Sequence, residues 1–110
     1  MSKVWGLLIL AGEKIPDRMH IQPIYTRIQK QLPLGDEYLV LEDHYRFNGR
    51  SNLYLTNGNF VTWFAELPSP DDLFVGFEYK YDRLLAFTEK GLCVRLSPTN
   101  GKVLENVKER

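Results

Sequence analysis

From Tyr38 onward, short runs rich in Val, Leu, Tyr and Phe alternate with Gly, Asn and Asp at intervals of roughly ten residues, the pattern of a β-meander. The spacing predicts strands at residues 37–41, 44–47, 52–55, 59–66, 73–79, 83–88, 92–96 and 102–105. Asn57-Gly58 is the strongest hairpin signal, because a two-residue turn with positive φ suits that pair. Glu89-Lys90-Gly91 and Thr99-Asn100-Gly101 can close the later hairpins, so sequential antiparallel pairing follows. Pro68 and Pro70 cannot donate to a ladder, which makes residues 67–72 a crossing loop where the chain leaves a sheet edge.

The first third of the chain reads differently. Residues 4–10 are almost continuously apolar and suit a strand covered on both faces. With Lys3 in front they resemble a short signal peptide, but Trp5 and the missing small-residue cleavage pattern favour the strand. The run is also too short to span a bilayer. Residues 23–32 are ambiguous, since Ile24, Ile28 and Leu32 behind Pro23 fit either a helix face or a strand face. The expected fold is therefore mainly β: a single antiparallel meander sheet curved into a half-open barrel or small sandwich, with one short helix possible at residues 23–32. The last residues, 106–110, are expected to fray.

Composition narrows the functional classes. The chain has 110 residues and is 44% hydrophobic, enough for one domain with its own core and no metal or disulfide staples. Fourteen basic and fourteen acidic residues cancel, so there is no general attraction to nucleic acid or to an anionic membrane. Cys93 is the only cysteine, lies in an apolar run and reads as a small buried hydrophobe in a reducing compartment. A cytoplasmic location is expected, with no cofactor, no metal and no nucleic-acid or membrane partner.

Catalytic signatures are equally thin. The phosphate-cradling, dinucleotide and nucleophile-elbow motifs do not occur, and neither His20 nor His44 has a second ligand at metal spacing. Two histidines and a lysine could equip a small ribonuclease, one imidazole as base and one as acid. Against this, Glu42 and Asp43 stand directly before His44, where a scissile phosphate would need positive charge. A non-catalytic accessory subunit of a larger assembly is the remaining alternative.

Two features favour binding. The carboxylates come in adjacent pairs, Asp36-Glu37, Glu42-Asp43 and Asp71-Asp72. Neighbours on a strand point to opposite faces, so these pairs are not acid/base dyads, but at strand ends they could steer and hold a basic partner. All six are the candidate partner-binding residues. Aromatic residues crowd the middle of the chain, with Phe60, Trp63 and Phe64 loading both faces of one segment. Such a strand is either packed on both sides or offers an aromatic interface.

The segments Leu53 to Trp63 and Val94 to Leu104 read as imperfect copies of one unit, the second running V-R-L-S-P-T-N-G-K-V-L. This resembles the hairpin repeated in the blades of quinoprotein-type β-propellers, although a full propeller needs more chain. From Leu32 onward the stretches LPLGDEYLVLED, NLYLTNGNFVTWFAELPSPDD and LLAFTEKGLCVRLSPTNGKVLE resemble immunity proteins that partner contact-dependent growth inhibition toxins. The resemblance implies a cytoplasmic bacterial protein that binds a cognate toxin, often a nuclease, and occludes its active site.

Overall fold

The computed structural model describes residues 21–43 and 50–107. Within them lie eight strands: β1 Ile28–Leu34, β2 Glu37–Glu42, β3 Leu53–Thr56, β4 Val61–Phe64, β5 Phe74–Lys80, β6 Arg83–Thr88, β7 Cys93–Leu96 and β8 Val103–Val107. They form two separate four-stranded antiparallel meanders, ordered β1-β2-β3-β4 and β5-β6-β7-β8. The mainly β, antiparallel expectation holds, while the single curved sheet is corrected to two. The division falls where the prolines put it, since Pro68 and Pro70 occupy the link from β4 to β5.

No helix forms at residues 23–32: residues 24–26 bend and β1 follows directly. Pairing with β2 decides it: Ile28 stands opposite Glu42 and packs on the front cluster, and after a bulge Lys30 and Leu32 stand opposite Leu41 and Leu39 on the other face, with Leu32 on the main core. Pro33 fits there because, among the described residues, β1 is an edge strand paired on one side, with β2. The Asn57-Gly58 turn is also longer than a two-residue loop, because Thr56 pairs with Val61 and leaves residues 57–60 as the connection. Asn57 Oδ1 accepts the amides of Asn59 and Phe60, and Gly58 takes φ 100°, so the side chain builds a wider turn. β8 runs through Val107, beyond the expected start of fraying. The strands expected at 4–10 and 44–47 lie outside the described residues, as do His20 and His44.

The two sheets repeat each other register for register. In the first, Ile28 pairs with Glu42, a bulge follows, and Leu34 pairs with Glu37; in the second, Phe74 pairs with Thr88, a bulge follows, and Lys80 pairs with Arg83. Leu55 opposite Trp63, followed by a bulge to Thr56 opposite Val61, corresponds to Arg95 opposite Glu105 and Leu96 opposite Val103. The backbone repeat extends over four whole strands and matches Leu53 with Cys93 and Trp63 with Glu105, one residue away from the match of Leu53 with Val94 and Trp63 with Leu104 read from the sequence.

These equivalences fix how the sheets stack. The main core joins Leu39, Leu41, Leu53, Leu55, Trp63 and Ala65 of the first sheet to Phe77, Leu84, Ala86, Val94 and Leu96 of the second. The first set corresponds to Leu85, Phe87, Cys93, Arg95, Glu105 and Val107, which lie on the other side of the second sheet. The sheets thus stack in the same sense, the back of one on the front of the next. At the outer end Trp63 lies over Gly101, where a Cβ would come within 2.4 Å of Trp63 Cε3, and its indole N–H donates to the Pro98 carbonyl at 3.1 Å. Glycine is required there twice over, for this approach and for its φ of 74°.

Candidate functional site

Glu42 ends β2 on the front of the first sheet, fully buried, among Ile21, Tyr38, Val40 and Tyr54. Its carboxylate accepts the amides of Ile24 (2.6 Å), Tyr25 (3.0 Å) and Thr26 (2.7 Å) and the Tyr54 hydroxyl (2.6 Å). Residues 21–27 precede β1 and have no strand partner for these donors, so the carboxylate does what a ladder would. The segment is drawn over the front face and seats Ile21, whose Cδ1 lies 3.8 Å from where Gly58 would carry a Cβ.

Burial alone would raise the Glu42 pKa, but hydrogen bonds from the Thr26 amide, the Tyr54 hydroxyl and the Ile24 and Tyr25 amides outweigh it and hold the carboxyl below its ordinary 4.5. Burial, with the hydrogen bond to Glu42 second, pushes the Tyr54 hydroxyl upward. Both shifts lead away from neutrality. A general acid or base works best with a pKa near the operating pH, so this pair is a strut and not a proton shuttle.

The other acidic residues divide between two ends of the first sheet. Asp36 is exposed in the β1–β2 turn, and Glu37 beside it accepts the Thr62 hydroxyl. At the opposite end of β2, Asp43 is ion-paired with Arg27 at 3.1 Å and accepts from Gln29. Asp71 and Asp72 lie toward this second end, because Asn52 donates to both the Glu42 and Phe74 carbonyls. Asp71 is exposed, and its hydrogen bonds from Lys90 and Ser69 bring its carboxyl down to about 2. Asp72 is 1% exposed; its Oδ1 accepts the Leu73 and Lys90 amides, which ties the crossing loop to the β6–β7 turn. Its Oδ2 has no partner among the described residues.

Of the six candidate interface residues, Glu42 and Asp72 are thus turned inward, and Asp43 and Asp71 are held by cations of the same chain. Sequence could not separate them, since burial depends on which strand end another segment crosses. Among the described residues no group of three or more His, Cys, Asp or Glu side chains could hold a metal ion. Among the described residues no helix is long and apolar enough to cross a membrane.

What does reach the surface is different in kind. Phe60, 74% exposed, stands on the β3–β4 turn, and Tyr81, 89% exposed, on the β5–β6 turn. Beside Tyr81 a shallow depression is lined by Glu78, Lys80, Arg83 and Leu85. Sequence reading counted both among the aromatics without marking them as the exposed ones, although both stand in turn segments where a large ring has little to pack on. No family, no curated protein and no solved structure matches this chain.

Proposed function

We propose that this chain is a binding protein without catalytic chemistry, acting in the bacterial cytoplasm to neutralise a cognate protein toxin by covering its active site. The observation that carries the binding reading is the division of labour among side chains. Glu42, Asp72 and Asn52 are buried and spent on main-chain hydrogen bonds, while the large aromatics Phe60 and Tyr81 stand exposed on hairpin turns. Aromatic side chains at rigid positions are the usual anchors of protein interfaces, since they bring much contact area for little lost side-chain freedom. The resemblance to immunity proteins supplies the toxin, and a nuclease is the expected kind.

The test is mild affinity purification of the tagged chain from its native cells, with mass spectrometry of what co-elutes and a growth assay of that partner. A stoichiometric partner that kills alone and is harmless when co-expressed with this chain is the expected result. If the partner is non-toxic, or its toxicity persists with the chain bound, the neutralising role is wrong.

A further inference from the structure

The register match between the sheets sorts the back of the second sheet into rows. Lys30, Leu41, Leu53 and Ala65 of the first sheet correspond to Gly76, Phe87, Cys93 and Val107, a row without charge. The next row, Leu32, Leu39, Leu55 and Trp63, corresponds to Glu78, Leu85, Arg95 and Glu105, mostly charged, as suits a surface on which no further sheet packs. One row has kept its apolar character beside another that has lost it. Cys93 is 6% exposed, and Phe87 and Val107 are partly buried, although none of the three belongs to either core cluster. Neither Phe87 nor Cys93 is without an interaction partner. Side chains stand roughly perpendicular to a sheet, so ladder neighbours shield the flanks of a small residue and leave its outer end open. The low exposure of Cys93 therefore calls for cover above the sheet.

We infer that residues 4–10 of this chain cover that row, laid across the back of the second sheet as a strap. The chemistry matches, since these residues carry no charge and, Gly6 aside, all have apolar side chains that water solvates poorly. The length matches as well: four strands about 4.8 Å apart make a row of roughly 14 Å, and residues 4–10 when extended span roughly 20 Å. The reach is sufficient. Ile21 sits on the front of the first sheet, three layer spacings of about 10 Å from the far side, and the chain from Leu10 to Ile21 extends to roughly 36 Å. A second copy is a poorer occupant, because in a continued stack this row would meet the front of another first sheet, which residues 21–27 already close. Those residues also set the precedent. They close one outer face of the stack, and the strap, earlier in the same stretch of chain, closes the other. Arg95 and Glu105 border the strap and confine it to one row. The inference does not depend on the toxin reading.

Cys93 is the only cysteine of the chain and reports on the cover. Trp5→Asp with Leu8→Asp puts a charge on each face of the strap. In native buffer this double variant should react with dithiobisnitrobenzoate at Cys93 about tenfold faster or more, with its circular dichroism spectrum retained. A gentler variant decides the matter if that one does not fold. Leu7→Cys in a Cys93→Ala chain, carrying a nitroxide, should broaden the amide NMR signals of residues 85–87, 93–94 and 105–107 and spare those of residues 21–27. An unchanged labelling rate in a folded double variant, no broadening, or broadening centred elsewhere would overturn the strap. Broadening that appears when the nitroxide sits on an unlabelled copy mixed with the isotope-labelled chain would overturn it too, and would give the row to a second copy.

Discussion

The two halves of this molecule share one backbone plan and differ in what their faces present. Both are four-stranded meanders with bulges at matching places. On the back of the first sheet, Leu55 and Trp63 stand opposite each other and pack on the second sheet; at the same positions on the second sheet stand Arg95 and Glu105, ion-paired at 3.0 Å. The fronts differ too. Sheet one covers the front of the second, whereas the front of the first is closed by residues 21–27, tied down through Glu42. The ladder tolerates wide changes of side chain, and the faces decide where stacking continues and where it stops.

The comparison breaks most severely at the contact that exists only between the halves. Trp63→Ala empties the space over Gly101 and loses the hydrogen bond to Pro98, so we expect a loss of about 3–5 kcal/mol in urea unfolding. Gly101→Ala attacks the same contact from the other side, with a clash and an unfavourable φ, and should be comparably severe. If the halves are one cooperative unit, fluorescence and circular dichroism will give a single coincident transition in both variants. Separate transitions would show that the second sheet folds without the first.

Glu42→Gln tests the front closure instead. The amide nitrogen offers donors where the native oxygen accepted, leaving a buried donor unsatisfied, for an expected loss of about 1–3 kcal/mol. Hydrogen exchange should accelerate first at Ile24, Tyr25 and Thr26, whose amides lose their acceptor. The pH dependence has a definite sign. The folded pKa of Glu42 lies below its unfolded value, so its stabilisation is fully present above the ordinary 4.5 and is lost as the pH falls through the lowered folded value. The gap between native and Glu42→Gln stability should therefore narrow on acidification; a gap that widens would contradict the assigned network.

How much of this could be read from the sequence follows from what each feature depends on. The strands from β2 onward were legible because alternation and turn residues are local properties, and Pro68 and Pro70 marked the crossing loop at residues 67–72 but not that the chain starts a second sheet after it. The helix considered at residues 23–32 shows the limit, since Ile24 and Ile28 fit both periods and only pairing with β2 decides. Asp36-Glu37 and Glu42-Asp43 looked equivalent because each is an acidic pair at an end of β2. Their fates differ because residues 24–26 cross one end, a contact between positions 16 to 18 residues apart.

The smallest expected change in stability is the most direct test of why the stack ends. Glu105 is exposed and Arg95 partly so, and a solvent-accessible ion pair of that kind contributes about 0–1 kcal/mol. Replacing them together, Arg95→Leu with Glu105→Trp, should therefore leave the urea midpoint almost where it was. It would, however, extend the apolar row formed by Leu85, Phe87 and Cys93 and give the second sheet the pair that the first uses to hold its neighbour. A surface of that kind no longer has a polar termination. Sedimentation velocity should then show concentration-dependent association in the double variant and not in the native chain. If the variant sediments like the native chain at every concentration, the charge pair is not what ends the stack, and the shape of the β7–β8 edge must be doing so.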